Sequence, residues 1–220
     1  MDWHEWHAAY DTPGSWLEQR LALVQERVGL ALDEAPPGPL TVISLCAGQG
    51  RDLIGVLAEH PRRGDVRARL VELDEQNTEA AVRAAEAAGL TQVEVVVGDA
   101  SLTDHYARAA PADLVLLCGV LGNITDADVE RAIDHCTMLC KPGGTVVWTR
   151  SRRIEVAAED LVPQVCAWLE ERGFERLWVS DPELGFAVGA HRYTGEPRPL
   201  PPGERMFTFV GFDALRSSSR

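Results

Sequence analysis

Basic residues are scarce in this sequence, and lysine is almost absent. The 220 residues include 21 basic and 34 acidic side chains, which gives a formal net charge of −13, and Lys141 is the only lysine. A charge of this sign and size repels the phosphate backbone of a nucleic acid at long range. Nucleic acid is therefore disfavoured as a partner, and small molecules or proteins are favoured.

Long apolar runs are missing as well. No segment approaches the roughly 20 consecutive apolar residues that a membrane-spanning helix needs. Residues 1–5 have neither the basic start nor the apolar continuation of a signal peptide. We therefore expect no membrane association and a cytoplasmic location.

Cysteines are few, and their spacing matches no metal or disulfide framework. The five cysteines are odd in number, and no Cys-x-x-Cys occurs. Cys136 and Cys140 would share one face of a helix, but no histidine or further cysteine follows at ligand spacing, so core packing is favoured over metal binding. The pattern predicts free, mostly buried thiols in a reducing compartment and no metal site.

From residue 40 onward, short apolar runs alternate with amphipathic segments. The pattern predicts strands over residues 40–46, 68–73, 93–97, 113–118 and 145–150, with helices over 51–60, 75–88, 125–139 and 154–172. This rhythm implies right-handed crossovers and a parallel sheet covered on both faces. The runs 174–180 and 186–193 are joined by a turn too short for a crossover, so we expect them to pair as an antiparallel hairpin.

Three regions are expected along the chain. Residues 1–34 form an N-terminal lid or helical cover, with a helix over 16–32 that Ser15 caps. Residues 40–193 form the α/β domain, after a proline-rich linker. Residues 194–220 form a C-terminal tail on the same domain. Its apolar stretch 206–212 is either an eighth strand or a segment that folds over the ligand cleft.

The first predicted strand ends in a turn of small residues. Cys46-Ala47-Gly48-Gln49-Gly50 leads directly into a helix, which lets backbone N–H groups approach a ligand closely. Twenty-four residues after Gly50, the second predicted strand ends at Asp74. Nucleotide-binding folds place a ribose-binding carboxylate about 20 residues beyond such glycines. The two features together predict a nucleoside site.

Over residues 40–193 these and later motifs resemble, in order, the class I S-adenosylmethionine-dependent methyltransferases. Residues 44–50 stand where that family has an acid followed by Gly-x-Gly-x-Gly, and Asp74 stands where its ribose-binding acid lies. Residues 98–100 resemble the loop whose aspartate contacts adenine. Residues 113–124 resemble the fourth strand and the loop after it, and residues 139–144 resemble the turn into the fifth strand.

The resemblance implies a fold, a cofactor and a set of binding residues. The fold is a seven-stranded, mostly parallel sheet of order 3-2-1-4-5-7-6, whose last strand is antiparallel, with helices on both faces. The cofactor is S-adenosyl-L-methionine. The implied cofactor-binding residues are Ser44, Cys46, Ala47, Gly48, Gly50, Asp52, Asp74, Asp99, Ala100 and Gly119.

The first motif departs from the family at two positions. Ser44 replaces the acid, and Cys46 replaces the first glycine, so we expect either a negative φ at Cys46 or a displaced loop. Asp52 either supplies the missing carboxylate or is an ordinary acid in the first turn of a helix. A nicotinamide dinucleotide is disfavoured, because Leu53 stands where its Gly-x-Gly-x-x-Gly fingerprint needs the third glycine.

Methyl transfer requires mainly an in-line approach of the acceptor, excluded from water. The N-terminal segment with His4, His7 and Tyr10 is a candidate lid, in which either histidine could be a general base. The alternative is a short helix packed on the domain with its histidines in solvent. Asn123, after the fourth strand, is the other catalytic candidate, although asparagine there is as often a turn former.

We therefore expect methyl transfer to oxygen or nitrogen of a small metabolite. Two alternatives remain at this point: a protein of the same fold that binds the cofactor without methyl transfer, and a protein or RNA methyltransferase.

Overall fold

The computed structural model describes residue 10, residues 12–152 and residues 160–210. Within these residues the strands are β1 (Leu40–Leu45), β2 (Val66–Glu72), β3 (Val93–Val97), β4 (Ala112–Leu117), β5 (Cys140–Ser151), β6 (Phe174–Val179) and β7 (Phe186–Tyr193). The helices are α1 (Trp16–Glu34), α2 (Arg51–Leu57), α3 (Glu75–Ala87), α4 (Asp126–Leu139) and α5 (Val162–Glu171), with a short 3-10 helix at Thr103–Tyr106.

The seven strands form one sheet in the order β3-β2-β1-β4-β5-β7-β6. Strands β1 to β5 pair in parallel, and β7 runs antiparallel to both β5 and β6. The predicted sheet order and terminal hairpin are confirmed. Because β1 has β2 on one side and β4 on the other, the chain reverses its direction of winding at β1, where ligands bind in such sheets.

Both faces of the sheet are buried. Val42 and Ile43 are neighbours on β1 and point to opposite faces, yet both are fully buried, each in a different hydrophobic cluster. Strands covered on both faces carry continuous apolar runs rather than alternating ones. This is why the central strands could be recognised from their composition.

Helix α1 belongs to one of the two layers that cover the sheet. Its apolar residues Val24, Val28 and Leu32 lie in the same cluster as Val42. Ser15 caps it as predicted, because its Oγ accepts the Glu18 N–H at 3.1 Å. Helix α1 is therefore packed on the domain, and Trp16 and Arg20 in its first two turns line the cleft.

Two predicted boundaries were wrong by five residues or more. Helix α5 begins at Val162 rather than 154, since residues 160 and 161 are not helical and Pro163 is tolerated only in a first turn; residues 154–159 lie outside the described residues. Strand β5 begins five residues early, because Cys140 already pairs with Ala112 before a bulge shifts the register.

The C-terminal tail crosses the sheet edge without forming an eighth strand in its described part. Residues 194–210 make a single bridge, between Arg205 and Leu102. The tail is held on the domain instead by individual hydrogen bonds. For example, the Met206 N–H donates to the Ser101 carbonyl at 2.8 Å. In the described part of the predicted stretch 206–212, Phe207 and Phe209 line the ligand cleft, in agreement with the second expectation; residues 211 and 212 lie outside the described residues.

All five cysteines are free, and four of them are buried. Among the helices that the structure describes, none combines the length and the apolar character that crossing a bilayer requires.

Candidate functional site

A cavity of about 550 Å³ opens at the carboxyl edge of the parallel strands. Its walls come from the start of α1, the loop between β1 and α2, the ends of β2 to β5, and the C-terminal tail. This volume lies within the range of small-molecule and cofactor sites. The cavity therefore has room for a nucleoside-containing ligand at the predicted place.

The loop after β1 presents its backbone to this cavity. Gly48 and Gly50 have positive φ values of 55° and 71°, which turn the chain sharply from β1 into α2. The turn is held by backbone bonds from Ala47 to Val71 and from Gly50 to Ala47. Gly48 lines the cavity, so its lack of a side chain lets a ligand approach the main chain.

The expectation of a negative φ at Cys46 was wrong. Cys46 has a φ of 49°, the left-handed conformation that suits the glycine it replaces. A non-glycine residue in this conformation is strained by about 1–2 kcal/mol. The side chain packs against the hydrophobic core, and this packing helps to hold the strained conformation.

A residue that the sequence analysis did not select, Glu72, holds the loop. Its two carboxylate oxygens accept the backbone N–H groups of Gly48, at 2.8 Å, and of Asp74, at 2.9 Å. Glu72 also lines the cavity, whereas Ser44 is buried in β1. The acid missing at position 44 thus has a counterpart at the end of the neighbouring strand.

Asp74 lies at the end of β2 and is also the N-cap of α3. Its Oδ1 accepts the Asn77 N–H at 2.9 Å, and the side chain lines the cavity. A carboxylate has further lone pairs available after accepting one such bond. Asp74 can therefore cap the helix and still accept hydrogen bonds from a ligand.

Asp99 lines the cavity beyond β3, next to Ala100. Its Oδ1 accepts bonds from the Ser101 N–H and hydroxyl, and its Oδ2 accepts from Arg205 at 2.8 Å. Partial burial by itself would raise its pKa, but the bonds from Ser101 and Arg205 outweigh this effect and lower the pKa of Asp99. The carboxylate is therefore ionised and fixed in position by the tail.

The loop after β4 brings Gly119 and Asn123 to the cavity. Gly119 has a φ of 78°, and its N–H donates to the Thr149 hydroxyl at 2.8 Å. The Asn123 Nδ2 donates to the Gly119 carbonyl at 2.7 Å. Within the described residues, the buried Oδ1 of Asn123 has no hydrogen-bond partner. Asn123 thus both closes the turn and retains an unused acceptor.

The lining of the cavity also carries opposite charges. Asp52 and Arg20 both line it, together with Cys118. Burial raises the pKa of Asp52, and the charge of Arg20 opposes that rise. Arg20 also donates to the Tyr10 hydroxyl at 2.6 Å.

Four aromatic side chains also line the cavity. Trp16 and Tyr10 come from the N-terminal region, and Phe207 and Phe209 come from the tail. The Arg20 guanidinium lies 5.4 Å from the centre of the Trp16 ring. The walls of the cavity therefore include aromatic surfaces as well as charged side chains.

The structure brings most of the sequence-predicted residues to this cavity. The predicted residues that line it are Tyr10, Cys46, Ala47, Gly48, Asp52, Asp74, Asp99, Ala100, Gly119 and Asn123. Ser44 and Gly50 are not among the described residues that line it, and Gly50 instead shapes the turn. His4 and His7 lie outside the described residues.

Comparisons with known proteins agree with this geometry. Residues 42–144 match a family described as a methyltransferase domain. This segment runs from β1 to the bulge of β5 and contains the glycine loop, Asp74 and Asp99. No curated protein matches the chain.

Solved structures of methyltransferases share the fold. An O-methyltransferase family protein from Burkholderia thailandensis is 20% identical, with a TM-score of 0.62 over 81% of this chain and 57% of its own. The CurJ carbon methyltransferase is 15% identical, with a TM-score of 0.65 over 84% and 57%. Magnesium protoporphyrin IX methyltransferase from Synechocystis PCC 6803, solved with bound S-adenosylmethionine, is 14% identical, with a TM-score of 0.61 over 80% of both chains.

Residues 42–144 thus match a methyltransferase domain, and the whole sheet has the fold of the class I S-adenosylmethionine-dependent methyltransferases. The chain spans 57% of the length of the first two structures. The acceptors named for these proteins differ, so the fold leaves the acceptor of this chain open.

Proposed function

We propose that this chain transfers a methyl group from S-adenosylmethionine to oxygen or nitrogen of a small molecule. The observation that carries the proposal is one cavity whose walls combine the glycine loop and its acids with four aromatic side chains. A cofactor held by the loop and the acids would share this cavity with an acceptor held against the aromatic side chains. In-line displacement needs this arrangement and little else from the protein.

The residues present fit the cofactor. Gly48 offers a main-chain surface without a side chain, and Asp74 retains acceptor capacity beyond its helix-capping bond. We assign the ribose hydroxyls to Asp74 and the adenine amino group to Asp99, which is fixed by Ser101 and Arg205. When bound, the cofactor supplies a methyl group already activated by its sulfonium sulfur.

The aromatic walls of the cavity favour a small, flat acceptor. They are formed by Trp16, Tyr10, Phe207 and Phe209, and Arg150 lines the same cavity. The net charge of −13 disfavours a nucleic acid acceptor. These features support a small-molecule acceptor, which stays a prediction, as does the cytoplasmic location expected from the sequence.

Tyr10 is better suited to donate a proton or hydrogen bond than to accept a proton as a base. Burial raises its pKa to about 12, even though the adjacent Arg20 charge opposes that rise. Tyr10 is therefore a neutral phenol at physiological pH. A general base, where the acceptor requires one, is assigned to His4 or His7, and this role stays a prediction.

The test is transfer of a radiolabelled methyl group to a panel of phenols, amines and carboxylic acids, with total RNA and a protein extract as separate arms. The proposal expects label in at least one small molecule and its loss in an Asp74→Asn variant. Label only in RNA or protein would contradict the acceptor class. Cofactor binding without transfer to any arm would favour the non-catalytic alternative.

A further inference from the structure

Arg150 is a buried arginine near the end of β5 and lines the cavity, although only 6% of its surface is exposed. Its Nη1 donates to the Leu121 carbonyl oxygen. Among the residues that the structure describes, Asp126 alone makes an ion pair with it, and the Asp126 Oδ1 lies 3.5 Å from Nη2. This contact is long, and the Asp126 side chain is 63% exposed, so water screens the attraction.

The charge of Arg150 is therefore only partly compensated within the protein. Moving a guanidinium out of water is costly unless anions and hydrogen-bond acceptors replace the lost water. Burial accordingly lowers the pKa of Arg150, against the opposing charges of Asp126 and Asp160, yet an arginine stays protonated at physiological pH. A guanidinium presents five N–H donors in a planar fork, which matches a carboxylate. An anionic ligand in the cavity would supply further acceptors to Arg150.

The strand order separates Arg150 from the residues assigned to the cofactor. Asp74 and Asp99 follow β2 and β3, whereas Arg150 lies near the end of β5, on the other side of β1 and β4. Neighbouring strands are about 4.8 Å apart, so the three steps from β2 to β5 amount to roughly 14 Å. Arg150 is therefore placed to contact the acceptor rather than the ribose or adenine of the cofactor.

The loop between β4 and α4 carries a second group that favours a polar ligand. The Asn123 Nδ2 donates to the Gly119 carbonyl at 2.7 Å, and because a carbonyl can only accept, this bond fixes the orientation of the amide. Asn123 is only 5% exposed, and its Oδ1 has no partner among the described residues. Leu121, which holds Arg150, belongs to the same loop. Arg150 and Asn123 are thus attached to one loop and line one cavity.

We propose that the acceptor is a small aromatic carboxylic acid, whose carboxylate binds Arg150 and whose N–H or O–H group donates a hydrogen bond to the Asn123 Oδ1. This inference rests on the proposed function and names the class of its acceptor. Phe207 and Phe209, which line the same cavity, offer aromatic surfaces to the ring of such an acid.

This cavity favours a single negative charge over the two charges of a phosphate. Its lining has more acids than arginines: the acids are Asp52, Glu72, Asp74 and Asp99, and the arginines are Arg20, Arg51 and Arg150. Each further negative charge on a ligand adds to its repulsion by these acids. A carboxylate is therefore favoured, and Arg150 is the residue that determines this specificity.

The experiment measures binding by calorimetry to protein saturated with S-adenosylhomocysteine, with no turnover involved. The ligands are the ortho, meta and para isomers of hydroxybenzoate and aminobenzoate. Each acid is compared with its primary amide, which lacks the charge, and with benzoate, which lacks the ring hydroxyl or amino group. Phenyl phosphate tests the alternative anion. The proteins are the wild type, Arg150→Gln, Arg150→Lys, Asn123→Ala and the control Arg83→Gln, which removes the same charge from an exposed arginine of α3 outside the cavity lining.

In the wild type and in Arg83→Gln, the acid that binds best should bind roughly 10- to 100-fold more tightly than its amide, as for a charge-assisted hydrogen bond. This ratio should fall below about threefold in Arg150→Gln. Arg150→Lys should give an intermediate ratio, because an ammonium keeps the charge but lacks the planar fork. In Asn123→Ala the ratio should persist, while the advantage of that acid over benzoate, about fivefold in the wild type, should disappear.

Because each ratio compares two ligands on one protein, a general weakening of the site cancels. Equal binding of acids and amides by the wild type would overturn the inference, and this comparison needs no variant to fold. An acid preference that persists in Arg150→Gln and Arg150→Lys would overturn the role of Arg150, and tighter binding of phenyl phosphate than of every acid would overturn the carboxylate. Failure of the wild type to bind S-adenosylhomocysteine would overturn the proposed function itself, so the two failures are distinguishable.

Discussion

The Glu72 carboxylate accepts the backbone N–H of Gly48 at 2.8 Å. A side chain at the end of β2 thereby fixes the loop that follows β1, and its other oxygen fixes the N–H of Asp74. The glycine loop and the predicted ribose-binding acid are thus positioned by one residue. Their relative placement depends on Glu72 more than on Ser44, which is buried in β1.

Glu72→Gln should loosen both attachments, because an amide has only one oxygen to accept two N–H groups. We expect a loss of stability of about 1–3 kcal/mol and a roughly tenfold weaker affinity for S-adenosylhomocysteine. Urea unfolding and calorimetry measure the two effects. Glu79→Gln, an exposed change on α3, serves as the control. Unchanged affinity in Glu72→Gln would show that the loop does not need this carboxylate.

Asp74 has two roles that substitutions can separate. Asp74→Asn retains a side-chain oxygen for the Asn77 N–H, so α3 should stay capped and stability nearly unchanged. Asp74→Ala should lose the cap as well, at about 1 kcal/mol. Both variants should bind S-adenosylhomocysteine at least tenfold more weakly, because charge-assisted bonds to the ribose are lost. An Asn variant with wild-type affinity would remove the ribose assignment.

Strain at Cys46 predicts an unusual order of stabilities. Alanine and glycine both remove the thiol, but only glycine relieves the left-handed backbone at a φ of 49°. Cys46→Gly should therefore be more stable than Cys46→Ala by about 1 kcal/mol. Glycine is usually the less stable of the two in a helix or strand. Denaturant unfolding of Cys46→Gly and Cys46→Ala measures the two stabilities. A Cys46→Ala variant that is the more stable of the two would refute the strain argument.

His191 predicts a loss of stability on acidification. It is fully buried on β7, where its Nδ1 accepts the Trp148 indole N–H at 3.2 Å. Burial, aided by the Arg176 charge, lowers the pKa of His191 from 6.5 to about 4. Below pH 6.5, His191 is therefore protonated in the unfolded chain but still neutral in the folded chain. The free energy of unfolding consequently decreases as the pH falls from 6.5 toward 4.

Between pH 7 and pH 5 this histidine should remove about 2 kcal/mol of stability. His191→Gln can keep an acceptor for Trp148 but cannot titrate in this range. Urea unfolding of both proteins at the two pH values measures the difference. If the stability of His191→Gln falls as much as that of the wild type, acid sensitivity does not arise at His191.

Local signals made most of the fold predictable. Ser15 and Glu18 mark the start of α1, and the short turn between β6 and β7 requires a hairpin. The two-sided burial of β1 appears directly as an apolar run. The bulge of β5 could not be foreseen, because it depends on how Cys140 meets Ala112, 28 residues earlier in the chain.

The candidate site was also predictable only in part. Gly48, Asp74 and Asp99 follow strands whose parallel order brings them to one edge, so sequence order sufficed to group them. The role of Glu72 could not be predicted, because it depends on the loop at Gly48 lying close to the end of β2 in the folded chain. Arg205 reaches Asp99 from 106 residues away, a distance across which sequence patterns carry no information.

The most direct test of the account is calorimetric titration of the purified protein with S-adenosylmethionine and, separately, with NAD. We predict micromolar, one-to-one binding of S-adenosylmethionine and no binding of NAD, since Leu53 occupies the position of the third glycine that a dinucleotide site needs. Absence of S-adenosylmethionine binding, or binding of NAD in its place, would contradict the central claim that this cavity is a methyl-donor site.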